Sequence, residues 1–252
     1  MEGPANAPVL VLGNSLGTTR SVWDRQVPWL RRSFRLLRYE HRGHGGSAAP
    51  PGPYSIEQLG TDVLALLDSR GVRRAAYCGV SLGGMIGMWL AANAPERIAA
   101  LGLCCTSAYL PGALWEARAE QVRSAGMRSI SQQVVARWFT AAFTRREPAV
   151  PESFTAELEH IDPEGYAGCC DAIATMDLRG SLPSISAPTL VIAGAEDPAT
   201  PPPDGALIAS GIARSRLLVI RGAAHLANVS AAGEVTAALL GHLRAAATPT
   251  LP

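Results

Sequence analysis

Short runs rich in apolar residues, many bounded by glycine or proline, recur along the chain. They alternate with longer segments whose apolar positions return every three to four residues. Residues 8–12, 34–39, 75–80, 98–104, 188–194 and 216–220 are of the first kind and predict buried strands. Residues 55–69 are of the second kind. Ser55 stands where an N-cap would, and Ile56, Leu59, Val63, Leu66 and Leu67 form one apolar face, which predicts an amphipathic helix. Residues 83–94, stopped near Pro95, and residues 234–244 also read as helices. Strands alternating with helices predict an α/β fold, a mostly parallel sheet with helices on both faces.

Residues 111–182 break this rhythm. They hold no convincing strand, and helical patterns lie near 113–126, 129–142, 151–160 and 164–176. A helical insertion between two strands of a parallel sheet falls above the carboxyl edge of that sheet, where open α/β sheets bind ligands. The expected organisation is therefore a core of residues 1–110 and 183–245, a helical cap of residues 111–182, and a tail of residues 246–252.

Composition narrows the chemistry. All 22 basic residues are arginine, and the chain contains no lysine. That excludes Schiff-base catalysis, a pyridoxal-anchoring lysine and the lysine of a phosphate-cradling loop. With 21 acids the formal net charge is +1, so no electrostatic argument favours a nucleic acid or an anionic membrane. The five cysteines, Cys78, Cys104, Cys105, Cys169 and Cys170, are odd in number and show no C-x-x-C spacing. They read as small buried hydrophobes in a reducing compartment. No signal peptide and no 18-residue apolar run is visible, so a cytoplasmic protein outside the membrane is expected.

The strongest chemical signal is Gly79-Val80-Ser81-Leu82-Gly83, a G-x-S-x-G placed directly after an apolar strand and before a helix rich in small residues. A sharp strand-to-helix turn forces the serine into a strained conformation and presents its hydroxyl at a helix N-terminus. A serine needs a base. His225 follows the last strand by a short loop, which places it at the same sheet edge. The acid that would orient His225 is Asp197, just past the strand of residues 188–194, with its neighbour Glu196 as the competing candidate. The order Ser81, Asp197, His225 differs from the chymotrypsin and subtilisin orders. Backbone N–H donors for an oxyanion are expected from Leu82 and from the loop after the first strand. There Leu16 is the assigned donor, with Ser15 as the alternative.

The other histidines read more plainly. His41 and His44 flank Arg42-Gly43 and read as a structural turn, not a metal pair, because no cysteine or carboxylate cluster completes a site. No metal site is expected. His160 and His242 read as solvated, and Glu40 as a strand-end acid bonding to a neighbouring loop.

The chain resembles the α/β-hydrolase family and, within it, the 3-oxoadipate enol-lactonase group. The resemblance is carried by Asn14-Ser15-Leu16-Gly17-Thr18 with Val22-Trp23-Asp24, by Arg42-Gly43-His44-Gly45, and by the segment around Ser81. It continues through Arg137-Trp138-Phe139-Thr140, Asp197-Pro198-Ala199-Thr200-Pro201-Pro202 and Ala223-Ala224-His225-Leu226-Ala227-Asn228. It implies hydrolysis of a small-molecule enol-lactone through Ser81, His225 and Asp197, without a cofactor; the alternatives are a general carboxylesterase, a C–C hydrolase of ring-cleavage products, or a non-catalytic ligand-binding version of the fold, against which the three residues argue. It places Trp138 and Arg137 in the substrate pocket, Arg137 having a solvated side chain as its alternative. Family members usually begin with a β-hairpin ahead of the first apolar strand. Only seven residues precede Pro8 here, so either the sheet is expected to lack that hairpin or the true start lies upstream. Some members of the group are fused to a carboxymuconolactone decarboxylase domain, and the proline-containing tail suits such a fusion or association.

Overall fold

The structure is a computed structural model that describes residues 1–247. Six strands form one sheet: β1 (Val9–Gly13), β2 (Arg35–Arg38), β3 (Ala75–Val80), β4 (Ile98–Cys104), β5 (Thr189–Gly194) and β6 (Ser215–Ile220). Their spatial order is β2-β1-β3-β4-β5-β6, and every pair is parallel. Each of the six apolar runs is one of these strands. Two interior strands, β3 and β5, are buried at every residue, as parallel strands covered on both faces are.

The helices are α1 (Val27–Leu30), α2 (Ile56–Ser69), α3 (Leu82–Asn93), α4 (Gly112–Ala125), α5 (Ser131–Ala136), α6 (Ala141–Arg146), α7 (Ala149–Glu159), α8 (Pro163–Ala174), α9 (Pro202–Gly211), α10 (Ala227–Ser230) and α11 (Ala232–Ala247). Ser55 caps α2 as expected, and a capping box with Gln58 completes the turn. Adjacent residues of a strand face opposite sides, and Tyr77 and Cys78 show which helix covers which. Tyr77 lies against Gly87 of α3, whereas Cys78 lies beside Gly102, over which Leu239 of α11 packs. The sheet is therefore sandwiched between α3 and α11.

Four differences from the sequence reading stand out. The helix expected over 129–142 is two helices, α5 and α6. Trp138, Phe139 and Thr140 are buried in succession, which no single helical face allows, and Thr140 caps α6 by accepting the Phe143 N–H. The crossover helix α9 carries no strong apolar stripe and begins in prolines, which hid it. His242 is buried, not solvated: it shares the inward face of α11 with Val235, Leu239 and Leu243. Its Nε2 lies 3.0 Å from the Leu101 carbonyl. Finally, α11 continues through Ala246 and Ala247, beyond the 234–244 expected of the closing helix; residues 248–252, where most of the expected tail falls, lie outside the described residues.

At the β2 edge no hairpin is present among the described residues. Glu2 instead exchanges both backbone hydrogen bonds with Leu36, at 3.0 and 2.7 Å, and its carboxylate pairs with Arg38 at 2.7 Å. This short antiparallel bridge covers part of an otherwise open edge. All five cysteines are buried and unpaired.

Candidate active site

The strand order reverses between β1 and β3: the chain moves from β1 outward to β2, then returns to the other side of β1. Loops leaving β1 and β3 at their carboxyl ends are thereby splayed apart, and a crevice opens between them. Gly13-Asn14-Ser15-Leu16-Gly17 leaves β1, and Ser81 leaves β3.

Ser81 has φ 54° and ψ −115°, one of two non-glycine residues with positive φ among the described residues. The elbow is held from several sides. Ser81 N–H donates to the Cys104 carbonyl at 2.9 Å, and Thr106 Oγ1 donates to the Ser81 carbonyl at 2.7 Å. The flanking glycines are required by close approach: a Cβ on Gly79 would stand 2.2 Å from the Gly83 carbonyl carbon. A Cβ on Gly83 would stand 2.5 Å from Gly13. Strain of this kind persists only where the surroundings over-determine it.

His225 Nδ1–H donates to Asp197 Oδ2 at 2.8 Å, and both residues are buried. Asp197 sits in a tight turn after β5, where its Oδ1 accepts the Ala199 and Thr200 N–H groups at 2.8 and 3.2 Å. Thr200 Oγ1 donates to Oδ2 at 2.8 Å and lies 3.3 Å from His225 Nδ1. Burial alone would push the Asp197 carboxyl up. The charge of His225 and the hydrogen bonds from His225, Thr200 and Ala199 outweigh it and hold the group below its ordinary value of 3.8. Glu196, the competing candidate, points outward and is exposed. With Nδ1 occupied, His225 keeps Nε2 to exchange protons on the pocket side.

Ser81 and His225 line the same pocket, together with Ser15, Leu16 and Ala199 from the core. The helical insertion supplies its other wall: Trp115, Arg118, Val134, Arg137, Trp138 and Tyr166. The insertion is tied to the His225 loop by Leu226 N–H, which donates to the Trp138 carbonyl at 3.0 Å. Among the described residues neither the Leu16 nor the Leu82 N–H has a hydrogen-bond partner. Leu82 opens α3, so its N–H is one of the free donors of a helix N-terminus.

Arg137 and Trp138 both reach this pocket, and Arg137 Nη2 donates to the Pro198 carbonyl at 3.0 Å. Sequence reasoning did not single out Arg118, which stacks over Trp115 at 4.7 Å and has no ion-pair partner among the described residues. Nor did it single out Thr200. The available signals were the 115/118 helical spacing and a Thr three residues beyond a turn-forming Asp. His160 is exposed as expected. Glu40 bonds to neighbouring loops as expected, accepting the Arg20 N–H at 3.0 Å and Asn14 Nδ2 at 3.2 Å.

A family profile described as alpha/beta hydrolase fold matches residues 8–137. The chain is 43% identical to 3-oxoadipate enol-lactonase 2 of Acinetobacter baylyi, over 90% of this chain and 85% of that protein. It is 35% identical to 3-oxoadipate enol-lactonase 1 of the same organism, over 91% and 86%. Among solved structures, the enol-lactonase from Burkholderia xenovorans LB400 superposes with a TM-score of 0.94 at 43% identity, covering 96% of this chain and 94% of that one.

Proposed function

Since the chain belongs to the alpha/beta hydrolase fold family, we propose that it is a serine hydrolase that opens 3-oxoadipate enol-lactone to 3-oxoadipate in the catabolism of aromatic compounds. The observation that carries this reading is the buried Asp197–His225 pair converging with the strained Ser81 on one pocket. The substrate class is supported by relatives at 43% and 35% identity, both enol-lactonases. A cytoplasmic location belongs to the same reading, as does a core of residues 1–110 and 183–245 capped by the helices of 111–182.

In this mechanism Ser81 Oγ attacks the lactone carbonyl carbon while His225 Nε2 takes its proton. The carbonyl oxygen becomes an oxyanion on the Leu16 and Leu82 N–H groups, donors held in place before the reaction and therefore free of reorganisation cost. Collapse of the tetrahedral intermediate breaks the ring C–O bond. The leaving oxygen departs as an enolate, a good leaving group that demands little from the general acid; the proton held on His225 Nε2 goes to it and it ketonises, leaving His225 neutral. Water then gives a proton to His225, attacks the acyl-enzyme, and releases 3-oxoadipate as the proton returns to Ser81. Asp197 fixes the imidazole tautomer and stabilises its charged form throughout. The carboxylate that the substrate carries needs a cation, and in a lysine-free chain that cation is an arginine: Arg137 or Arg118, with Trp138 shaping the wall beside them.

The deciding experiment follows enol-lactone decay beside hydrolysis of p-nitrophenyl acetate, with wild type and Ser81→Ala. Preferred turnover of the lactone, lost in the variant, supports the proposal. Preferred turnover of the simple ester makes the protein a general carboxylesterase, and lactone turnover by Ser81→Ala removes the mechanism.

A further inference from the structure

We infer that His44 and His41 are positioning residues for catalysis: the two imidazoles grip the loop of Asn14 to Gly17 at either end and so set where the Leu16 N–H stands relative to Ser81. The inference rests on Leu16 and Leu82 as the oxyanion donors. The grip is asymmetric. His41 Nε2–H donates to the Asn14 carbonyl at 2.9 Å, and the same carbonyl accepts the Gly83 N–H, also at 2.9 Å. One oxygen thus joins the loop that carries Leu16 to the turn that carries Leu82. At the far end the roles reverse. Gly17 N–H donates to His44 Nε2 at 3.0 Å, while His44 Nδ1–H donates to the Arg42 carbonyl at 2.9 Å.

The two rings therefore hold opposite tautomers, each fixed by its own partner. They meet edge to face at 5.8 Å and are fully buried. Burial pushes His41 down to about 4 and His44 to about 3, so both stay neutral at working pH and His44 keeps the lone pair that Gly17 needs. The loop has little freedom to relax elsewhere. Gly17 has φ 77°, and even a Cβ there would stand 2.5 Å from Leu158 of α7. Asn14 is clamped too, its Nδ2 donating to the Tyr39 carbonyl at 2.7 Å. A carbonyl or imidazole that fixes a donor a residue away acts on the transition state only through that donor. Its loss should therefore lower kcat and leave KM nearly untouched.

The test uses His44→Met, which removes the acceptor at similar bulk, and His44→Gln, whose amide oxygen can accept in the place of Nε2. Deleting an oxyanion donor costs roughly a hundredfold to a thousandfold in kcat. Displacing one is expected to cost His44→Met about tenfold to a hundredfold, with KM within about threefold. His44→Gln should stay within about fivefold of wild type. Wild-type kcat in His44→Met overturns the inference. Equal losses in both variants overturn it also, as does a Gln variant that recovers melting temperature without recovering kcat. If His44→Met does not fold, His41→Met carries the same arm by releasing the Asn14 end, with the same expected loss and the same overturning result. Ser81→Ala run alongside separates the two ideas. Lactone turnover there sinks the hydrolase reading itself, whereas an inactive Ser81→Ala beside a fully active His44→Met sinks only the positioning role.

Discussion

Asp197 receives the Nδ1–H of His225 at 2.8 Å, with the Asp197 side chain sealed from solvent and that of His225 5% exposed. The pair joins the turn after β5 to the loop after β6, two segments 28 residues apart in sequence. Asp197→Asn keeps the shape but offers an amide that can donate to Nδ1, which favours the wrong tautomer. It is expected to lower kcat by about three to four orders of magnitude with the fold intact, as steady-state lactone hydrolysis and a melting curve will report. Thr200→Val removes one hydrogen bond from the same carboxylate and is expected to cost far less, about tenfold.

Ser81 stores backbone strain, and two inactive variants can measure it. Ser81→Ala and Ser81→Gly both lack the proposed nucleophile, but glycine accepts the positive φ of 54° without a Cβ penalty. Ser81→Gly is expected to be about 1 kcal/mol more stable than Ser81→Ala by urea unfolding. Equal stability would mean that the elbow is unstrained.

The arginines of the insertion separate carboxylate recognition from chemistry. Replacing Arg137 or Arg118 with Met is expected to raise KM for the enol-lactone by about tenfold to a hundredfold at whichever position holds the carboxylate. Hydrolysis of p-nitrophenyl acetate, which has no carboxylate, should be unchanged. Loss of both activities together in either variant would mean that the arginine supports the pocket's packing instead.

Buried neutral histidines make the fold acid-sensitive. His41 and His44 have folded-state values near 4 and 3, against 6.5 in an unfolded chain. Burial lowers His242 in the same direction. Between pH 6.5 and these values the unfolded chain binds protons that the folded chain refuses, so stability falls as pH falls. At pH 5 each of His41 and His44 is expected to have cost about 2 kcal/mol relative to pH 7.5. Urea unfolding of wild type and His44→Gln at both pH values checks this: the variant should lose about 2 kcal/mol less on acidification.

Much of this site was legible because its parts are local. Gly79 to Gly83 is a single strand-to-helix turn whose glycines and serine are dictated by backbone approach within five residues. The order of Ser81, Asp197 and His225 could be read from where each follows an apolar run. The readings that failed were those that depended on what lies across the fold. His242 looked like a surface residue until Val235, Leu239 and Leu243 placed its side of α11 against the sheet. The helix expected over 129–142 broke because Trp138 and Thr140 both had to face inward.

Periodicity and glycine spacing by themselves determined the α/β class, the strand positions and the strand-to-helix turn that carries Ser81. These follow from interactions between near neighbours along the chain. Tertiary structure alone decided that Asp197 and not Glu196 meets His225, that Arg118 joins Arg137 at the pocket, and that His41 and His44 bond to the Asn14–Gly17 loop. The histidine bonds span 27 residues of chain and the Asp197–His225 pair 28, and such distances exist only once the parallel sheet has set the order of its strands and brought their carboxyl ends to one edge.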